Sequence, residues 1–564
     1  MPPTLLPEAA PMTVEHPKAT RSTLHPVWTA LASSLLLWLA FPPVERAPLA
    51  WLALAPLFSL VRSDRPGWQV YLAGWAGGLG FWLLAVEWVR LTDPSAWLGW
   101  LVLAGALSLW WPAFLMLARP MVRSLKLPLM IAAPLAWVAL EYVRAHGPLN
   151  GLPWYFLAHT QYKFIPVIQI SDLTGAYGLS FLIAMCSAWL VELVQLPLMR
   201  PTARGPRLRP MQAVRLSSMV LAFIATLGYG FARLSTADFR PGPRLALLQS
   251  NLPTQMKMSL TATDILINFR ALCERALPER PDLLVWPETS YPRGIPYIDA
   301  GLGEPEFLSQ VRDIDKNFVT ADWRDRDALV RAELNAWADY WKTPMLVGAV
   351  AHTFRPGGYA KYNSAVLISP GITANGRYDK LHLVPFGEYV PLLKTLPWVT
   401  RLTPYNGSTI PSLSFGARPV GFTAGKYRYA TAICFEDTIP HVVRGFFGDA
   451  NTRPDVLLNI SNDGWFGGSS ELDMHLAISV FRCVENRVPL ARAVNTGISA
   501  LVDGNGRIVT ALSKMKEGVL VVVAPLDGRA SLYSRHGDWM ARTCLAATIG
   551  LLVIHGARRG RKPR

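Results

Sequence analysis

The sequence predicts a multi-span α-helical membrane domain of about eight transmembrane helices, joined to a separate layered α/β domain. Three observations carry that expectation. Hydrophobic residues make up 51% of the 564 and charged residues only 17%, where a soluble chain is nearer a quarter charged. Apolar runs long enough to cross, or nearly cross, a bilayer crowd both ends of the chain. The stretch 240–530 instead alternates short β-branched or Leu-rich runs with helical patterns.

The apolar runs fall near 27–42, 48–61, 69–89, 97–117, 127–143, 174–197 and 215–232, with an eighth near 540–556. Lipid offers backbone polar groups no partner, so these runs are expected to be helical. The first two are short and separated by FPPVERAP, and a single re-entrant hairpin over 27–61 is the alternative. The first 25 residues are polar and Pro-rich, without a small-residue cleavage site after an apolar stretch, so the first run reads as a retained helix.

Arginine placement orients the spans. Arg62 and Arg65 follow the second, Arg119, Arg123 and Lys126 the fourth, and Arg200, Arg204, Arg207, Arg209 and Arg215 lie around the loop after the sixth. The tail ends RRGRKPR, whereas the intervening loops hold little beyond Arg46, Arg90, Arg144 and Lys163. The positive-inside rule makes the rich loops and both termini cytoplasmic. The expected layout is a cytoplasmic tail (1–26), a membrane domain (27–232), an external domain (240–530), a last span (540–556) and a basic cytoplasmic tail (557–564). A net charge of +16 would suggest nucleic acid in a soluble protein. Beside apolar runs it reads as membrane loops, with no nucleic-acid partner.

Within 240–530 the strand-like runs are RLALLQS, DLLVWPE, PMLVGAV, NSAVLIS, YATAICF, DVLLNIS, LARAVNT and GVLVVVA, and helical patterns lie at 261–276, 324–341 and 471–486. The segment 297–345 looks longer and more charged than a core needs and is expected to be a solvated helical insertion. The segment 389–425 is long and carries Tyr389, Leu392, Leu396, Trp398 and Tyr405. Loops of that length are usually functional, so it reads as a lid or arm at the bilayer, with NLPTQMKMSL and its Met258 as a second arm.

Three runs end beside a reactive side chain: Glu288 in LLVWPETS, Lys380 with Glu388 in YDKLHLVPFGEYVP, and Cys434 with Glu436 in ATAICFED. Taken singly, such residues are more often turn carboxylates, surface lysines or core thiols. The five cysteines are too scattered for a disulfide framework or zinc site, and CxxC, HExxH and P-loop motifs are absent from the sequence, so no metal or cofactor is expected.

Together these segments resemble the nitrilase, or carbon–nitrogen hydrolase, superfamily, in which Glu, Lys and Cys follow in this order. VWPET, KLHLVPFGEYVP, SNDGWFG, RCVENRVPLARAVNTGISA and DGNGRIV resemble its apolipoprotein N-acyltransferase branch, as do GLPWYFLAHTQY and QISDLTGAYGLSFL in the apolar half. The resemblance implies an αββα sandwich domain in the periplasm of a bacterial inner membrane. It implies Glu288 as proton acceptor, Cys434 as nucleophile and Lys380 as oxyanion stabiliser, with Glu388 holding Lys380. A phospholipid donor, commonly phosphatidylethanolamine, would pass its sn-1 acyl chain through a Cys434 thioester to the α-amine of a diacylglyceryl apolipoprotein. Such an enzyme is expected to be monomeric and to need no cofactor. Where the family often has Trp after the lysine of NLPTQMKMSL, this chain has Met258.

Trp465, with Asn462, Asp463 and Phe466, is expected either to line the pocket or to form a tight turn. Glu436, two residues past Cys434, would share its face on a strand. His382 reads as a structural neighbour of Lys380. Glu87 and Asp172 fall near the outer interface, where headgroup contact or snorkelling accounts for a charge. Gly504 and Gly506 suggest a hairpin turn. Three other readings stay open: a membrane-tethered amidase, an acyltransferase with a different amine acceptor, and a transporter with a binding domain.

Overall fold

A computed structural model describes residues 25–560 apart from 148–150, 201–204, 315–318, 373–375, 394, 398–411 and 449–452, and apart from the side chains of 254, 255 and 258. The expectations placed on Met258, Trp398 and Tyr405 lie outside the described residues.

Helices stand at every predicted apolar run. They are α1 (Pro26–Ala40), a segmented run (Ala47–Arg62), α2 (Gly67–Ala85), α3 (Trp97–Arg123), α4 (Leu129–His146), α5 (Ala176–Gln195) and α6 (Pro210–Ser235), with the C-terminal Trp539–Gly560. Four are long and apolar enough to cross a membrane by length and composition: α3, α5, α6 and Trp539–Gly560. Pro26–Ala40 and Ala47–Arg62 are shorter, and the latter breaks into four pieces of 3-10 and α-helix.

The middle of the chain forms two sheets packed face to face. The first contains β1 (Phe239–Gln249), β2 (Leu283–Val285), β3 (Tyr291–Ile298), β4 (Met345–Arg355), β5 (Gly358–Ile368), β6 (Gly376–Asp379) and β13 (Gly518–Asp527). Its order is β13-β1-β2-β4-β5-β6, with β3 extending beside β4. The second holds β7 (Gly421–Ala424), β8 (Tyr427–Ile433), β9 (Val456–Ser461), β10 (Leu490–Val494), β11 (Ala500–Val502) and β12 (Ile508–Ala511), in the order β12-β11-β10-β9-β8-β7.

Strand alternation builds the layers. On β1, Leu245 and Leu247 enter the cluster between the sheets, while Ala246 and Leu248 face an outer layer. That layer comprises α7 (Ala262–Ala276), through Phe269 and Leu272, and α9 (Thr320–Trp341), through Val330, Leu334 and Ala338. The opposite sheet is covered by α10 (Ser470–Asn486), all but two of whose residues are buried. All eight strand-like runs lie in strands, and the result is an αββα sandwich.

Two expectations fail here. The 297–345 segment is not a solvated insertion. Val330, Leu334 and Ala338 recur every four residues on α9, which makes this helix part of the core. Only α8 (Glu304–Ile314) stands apart, over a small cluster of Phe307, Trp323 and Phe354. Asp172 is not at a solvated interface either, being 1% exposed. Arg487 reaches it at 2.6 and 2.9 Å, Arg233 of α6 at 2.8 Å, and the Tyr229 hydroxyl donates at 2.5 Å. This ion cluster ties the helical domain to the sandwich. Asp172→Asn should leave two cations short of their counter-charge and cost about 3 kcal/mol, read as a lower thermal unfolding temperature in detergent. An unchanged temperature would show that the cations find other partners.

Candidate active site

The site lies where three strands end. Strand β2 stops at Val285 and the chain passes Trp286 and Pro287 to Glu288. Strand β6 stops at Asp379, immediately before Lys380, and β8 stops at Ile433, immediately before Cys434. The ends of three strands, two in the first sheet and one in the second, bring together residues that are 54 to 146 positions apart in sequence.

Glu288 is buried and held on both oxygens. Its Oε2 accepts the Asn462 backbone N–H at 2.8 Å, and its Oε1 accepts Asn363 Nδ2 at 2.6 Å and Lys380 Nζ at 3.4 Å. Lys380 is 1% exposed and pairs more closely with Glu388, at 2.9 Å. The other Glu388 oxygen accepts Asn363 Nδ2 at 2.8 Å. Asn363 therefore bridges the two carboxylates that flank the lysine. Burial alone would lower the ammonium, but Glu388 and Glu288 outweigh it and hold Lys380 above its usual range.

Cys434 sits at φ +53°, a left-handed conformation rare for a residue with a Cβ, at the start of a 3-10 turn running to Thr438. Such strain costs on the order of 1–3 kcal/mol and persists where surroundings enforce it. Burial pushes the thiol well above its usual range, the Glu288 charge pushes it further, and the Lys380 ammonium opposes both. All three groups thus share one electrostatic site.

Glu436 plays a different part from the one its spacing suggested. The chain turns at Cys434 instead of continuing as a strand, so Glu436 leaves the Cys434 face. It accepts from the Tyr378 hydroxyl (2.9 Å) and from the backbone N–H groups of Leu381 (2.6 Å), His382 (3.0 Å) and Ile433 (2.7 Å). It therefore ties the Cys434 turn to the Lys380 loop, although burial pushes its carboxyl up to about 7. Glu436→Gln would point an NH2 group at one of these donors and should cost about 2 kcal/mol. Thermal unfolding checks this, and a neutral substitution would mean that the nest reorganises. His382 belongs to the same support, with its ring over Phe435 at 5.9 Å.

Behind Cys434 lies a buried charge network. Ser461 donates to Asp463 at 2.5 Å, and Asp437 meets His475 at 2.7 Å and Arg492 at 2.6 Å. Burial would depress His475, but Asp437 raises it to about 10. Asp463 is buried within this network, 3.6 Å from His475, and Asn462 meets Glu288 through its backbone N–H. Trp465 is 45% exposed. Phe386, Leu392, Leu396 and Phe415, from the segment after Lys380, are exposed as well. Gly506, at φ +81°, turns the β11–β12 hairpin as expected.

Two residues escaped sequence reasoning. Asn363 opens a strand run that otherwise reads as core, and a polar residue on its inward face is the only signal. Lys257 donates to the Thr289 carbonyl beside Glu288, and burial, partly offset by Glu288, lowers it to about 8. Among the described residues, no group of His, Cys, Asp or Glu is arranged to hold a metal ion.

Residues 33–189 match the model of the apolipoprotein N-acyltransferase N-terminal domain, and residues 244–532 match that of carbon–nitrogen hydrolases. The chain is 35% identical over 527 residues to the apolipoprotein N-acyltransferase of Geobacter metallireducens, covering 92% of each. It is 28% identical over 563 residues to that of Rhodopirellula baltica, covering 93% of this chain and 96% of the other. An amidase from Nesterenkonia sp. superposes with a TM-score of 0.35 at 18% identity, over 55% of this chain and 98% of the amidase.

Proposed function

We propose that this chain, which belongs to the apolipoprotein N-acyltransferase family within the carbon–nitrogen hydrolase superfamily, N-acylates lipoproteins through a thioester on Cys434. The observation that carries the mechanism is the convergence of Glu288, Lys380 and Cys434 at three strand ends, with the carboxylate fixed on both oxygens.

Glu288 takes the thiol proton as the sulfur attacks the sn-1 ester carbonyl of a phospholipid, taken to be phosphatidylethanolamine. Lys380, held by Glu388, stabilises the oxyanion of the tetrahedral intermediate. Collapse breaks the C–O bond, Glu288 returns the proton to the glyceryl oxygen, and lysophospholipid leaves. The neutral α-amine of a diacylglyceryl-cysteine terminus then attacks the thioester. Glu288 accepts the amine proton and passes it to the departing sulfur, giving an amide and a free thiol. Donor and acceptor use one site in turn, so ping-pong kinetics follow.

The setting is a bacterial inner membrane. Eight crossings would place both termini in the cytoplasm and 240–530 in the periplasm, with the protein a monomer. The exposed Phe386, Leu392, Leu396, Phe415 and Trp465 support an apolar rim that receives the acyl chain at the bilayer surface.

Incubation with phospholipid followed by intact-mass measurement tests the reading. One acyl chain should appear on Cys434, be released by hydroxylamine, and disappear when a diacylglyceryl lipopeptide is added. Active protein with unmodified Cys434 would sink the mechanism. Release of free fatty acid with no lipopeptide product would instead indicate a hydrolase.

A further inference from the structure

The helical domain reaches the turn that carries Cys434. The segment 152–158 lies in the connection between α4 and α5 and forms no helix before Leu157, yet its polar groups are tied down. Arg144 donates to the carbonyls of Leu152 (3.3 Å), Trp154 and Tyr155 (3.4 Å). Glu141 accepts the Leu157 N–H at 2.9 Å, Ser180 accepts that of Ala158 at 3.1 Å, and the Tyr155 hydroxyl donates to the Ala85 carbonyl. The result is a fixed ledge made of helical-domain residues.

Trp154 projects from that ledge and is 2% exposed. Its indole N–H donates to Thr438 Oγ1 at 3.2 Å, and the Thr438 hydroxyl donates to the Phe435 carbonyl at 2.7 Å. The indole lies nearly parallel to the Phe435 ring, 12° apart with centroids at 6.3 Å, and packs on His475 at 5.9 Å. Both ends of the turn that begins at Cys434 are thus held. Glu436 fixes it from the Lys380 side, and Trp154 fixes it from the helical domain. The turn needs such support, because Cys434 is left-handed.

We propose that the helical domain is part of the catalytic apparatus, and that Trp154 is a positioning residue that sets the Cys434 turn through Thr438 and Phe435. The inference rests on Cys434 being the nucleophile. It makes thiol reactivity depend on a residue anchored in the helical domain.

The test uses full-length protein in detergent, with Trp154→Phe, which keeps a ring but loses the donor, Thr438→Val, which loses the acceptor, and the double variant. Two readouts are taken: the rate of Cys434 alkylation by iodoacetamide, followed on the Cys434 peptide, and kcat and KM with phosphatidylethanolamine and a lipopeptide. Each single variant should slow alkylation and kcat together by about ten-fold with KM unchanged. The double variant should be no slower than the worse single, and Trp154→Ala should approach a hundred-fold loss. Asp172→Asn, which loosens the domain contact elsewhere, should alkylate at the wild-type rate below its unfolding temperature. Normal alkylation with only a raised KM would overturn the proposal and make Trp154 a wall of the lipid site. Additive losses, or an equal loss in Asp172→Asn, would overturn it too. Failure of the wild-type protein to acylate Cys434 would remove the underlying reading. Normal acylation with an unaffected Trp154→Phe would remove only this inference.

Discussion

Glu288→Gln should reduce acyl transfer by about a thousand-fold or more, while alkylation of Cys434 by iodoacetamide is preserved or quickened. The two effects part because Glu288 does two things. As the base and acid proposed above it would carry a proton from sulfur to the leaving glyceryl oxygen, which an amide cannot do. As a charge it raises the thiol, so its neutralisation lets Cys434 ionise at lower pH. The alkylation profile should therefore shift to lower pH as transfer collapses. The amide introduced by this substitution also meets donors on both sides, Asn462 N–H on one and Asn363 with Lys380 on the other, and its NH2 group can face neither well. A stability loss of about 1–3 kcal/mol should accompany the change. Retention of a tenth of the transfer rate would exclude Glu288 as the proton carrier.

What the sequence shows about this molecule depends on how local the signal is. Hydrophobic runs are local, so the apolar helices and eight of the strands are legible, whereas Glu288, Lys380 and Cys434, which singly read as turn, surface and core residues, are picked out only by the resemblance of their segments to the carbon–nitrogen hydrolases. Partners far apart in sequence are not legible. Asn363 lies 75 positions from Glu288 and 25 from Glu388, and its bridging role exists only after β5 is paired. Asp172 reads as an interface charge until Arg487, 315 positions away, closes on it. Glu436 would sit on the Cys434 face only if the strand ran on, and a left-handed residue at 434 ends it there. The composition of 297–345 suggested exposure, because its charged residues mask the apolar stripe along α9. The same limit applies to Trp154, which lies in the connection between two apolar runs: nothing near it in sequence points to Thr438, 284 positions away.

Lys380→Met should be as damaging as the loss of Glu288, but with the opposite signature at sulfur. Removing one oxyanion donor lowers turnover by about a hundred- to a thousand-fold. The ammonium is also the group that draws the thiol down, so its loss moves the alkylation profile to higher pH, against the downward shift expected for Glu288→Gln. Folding suffers as well. Lys380 is buried between Glu288 and Glu388, and its removal leaves two carboxylates without their cation, a loss of about 3–5 kcal/mol. The linkage has a definite sign. Burial would lower the lysine, yet the carboxylates raise it above its unfolded value, so its stabilisation is complete below about pH 10 and is lost only as pH rises through the folded value. The wild-type protein should therefore keep this contribution throughout the neutral range. Lys380→Arg retains charge but places a planar fork where a point ammonium sits between two carboxylates at 2.9 and 3.4 Å. It should recover more of the stability than of the turnover. If the methionine variant moved the alkylation profile to lower pH, or the arginine variant restored full turnover, Lys380 could not be the oxyanion donor.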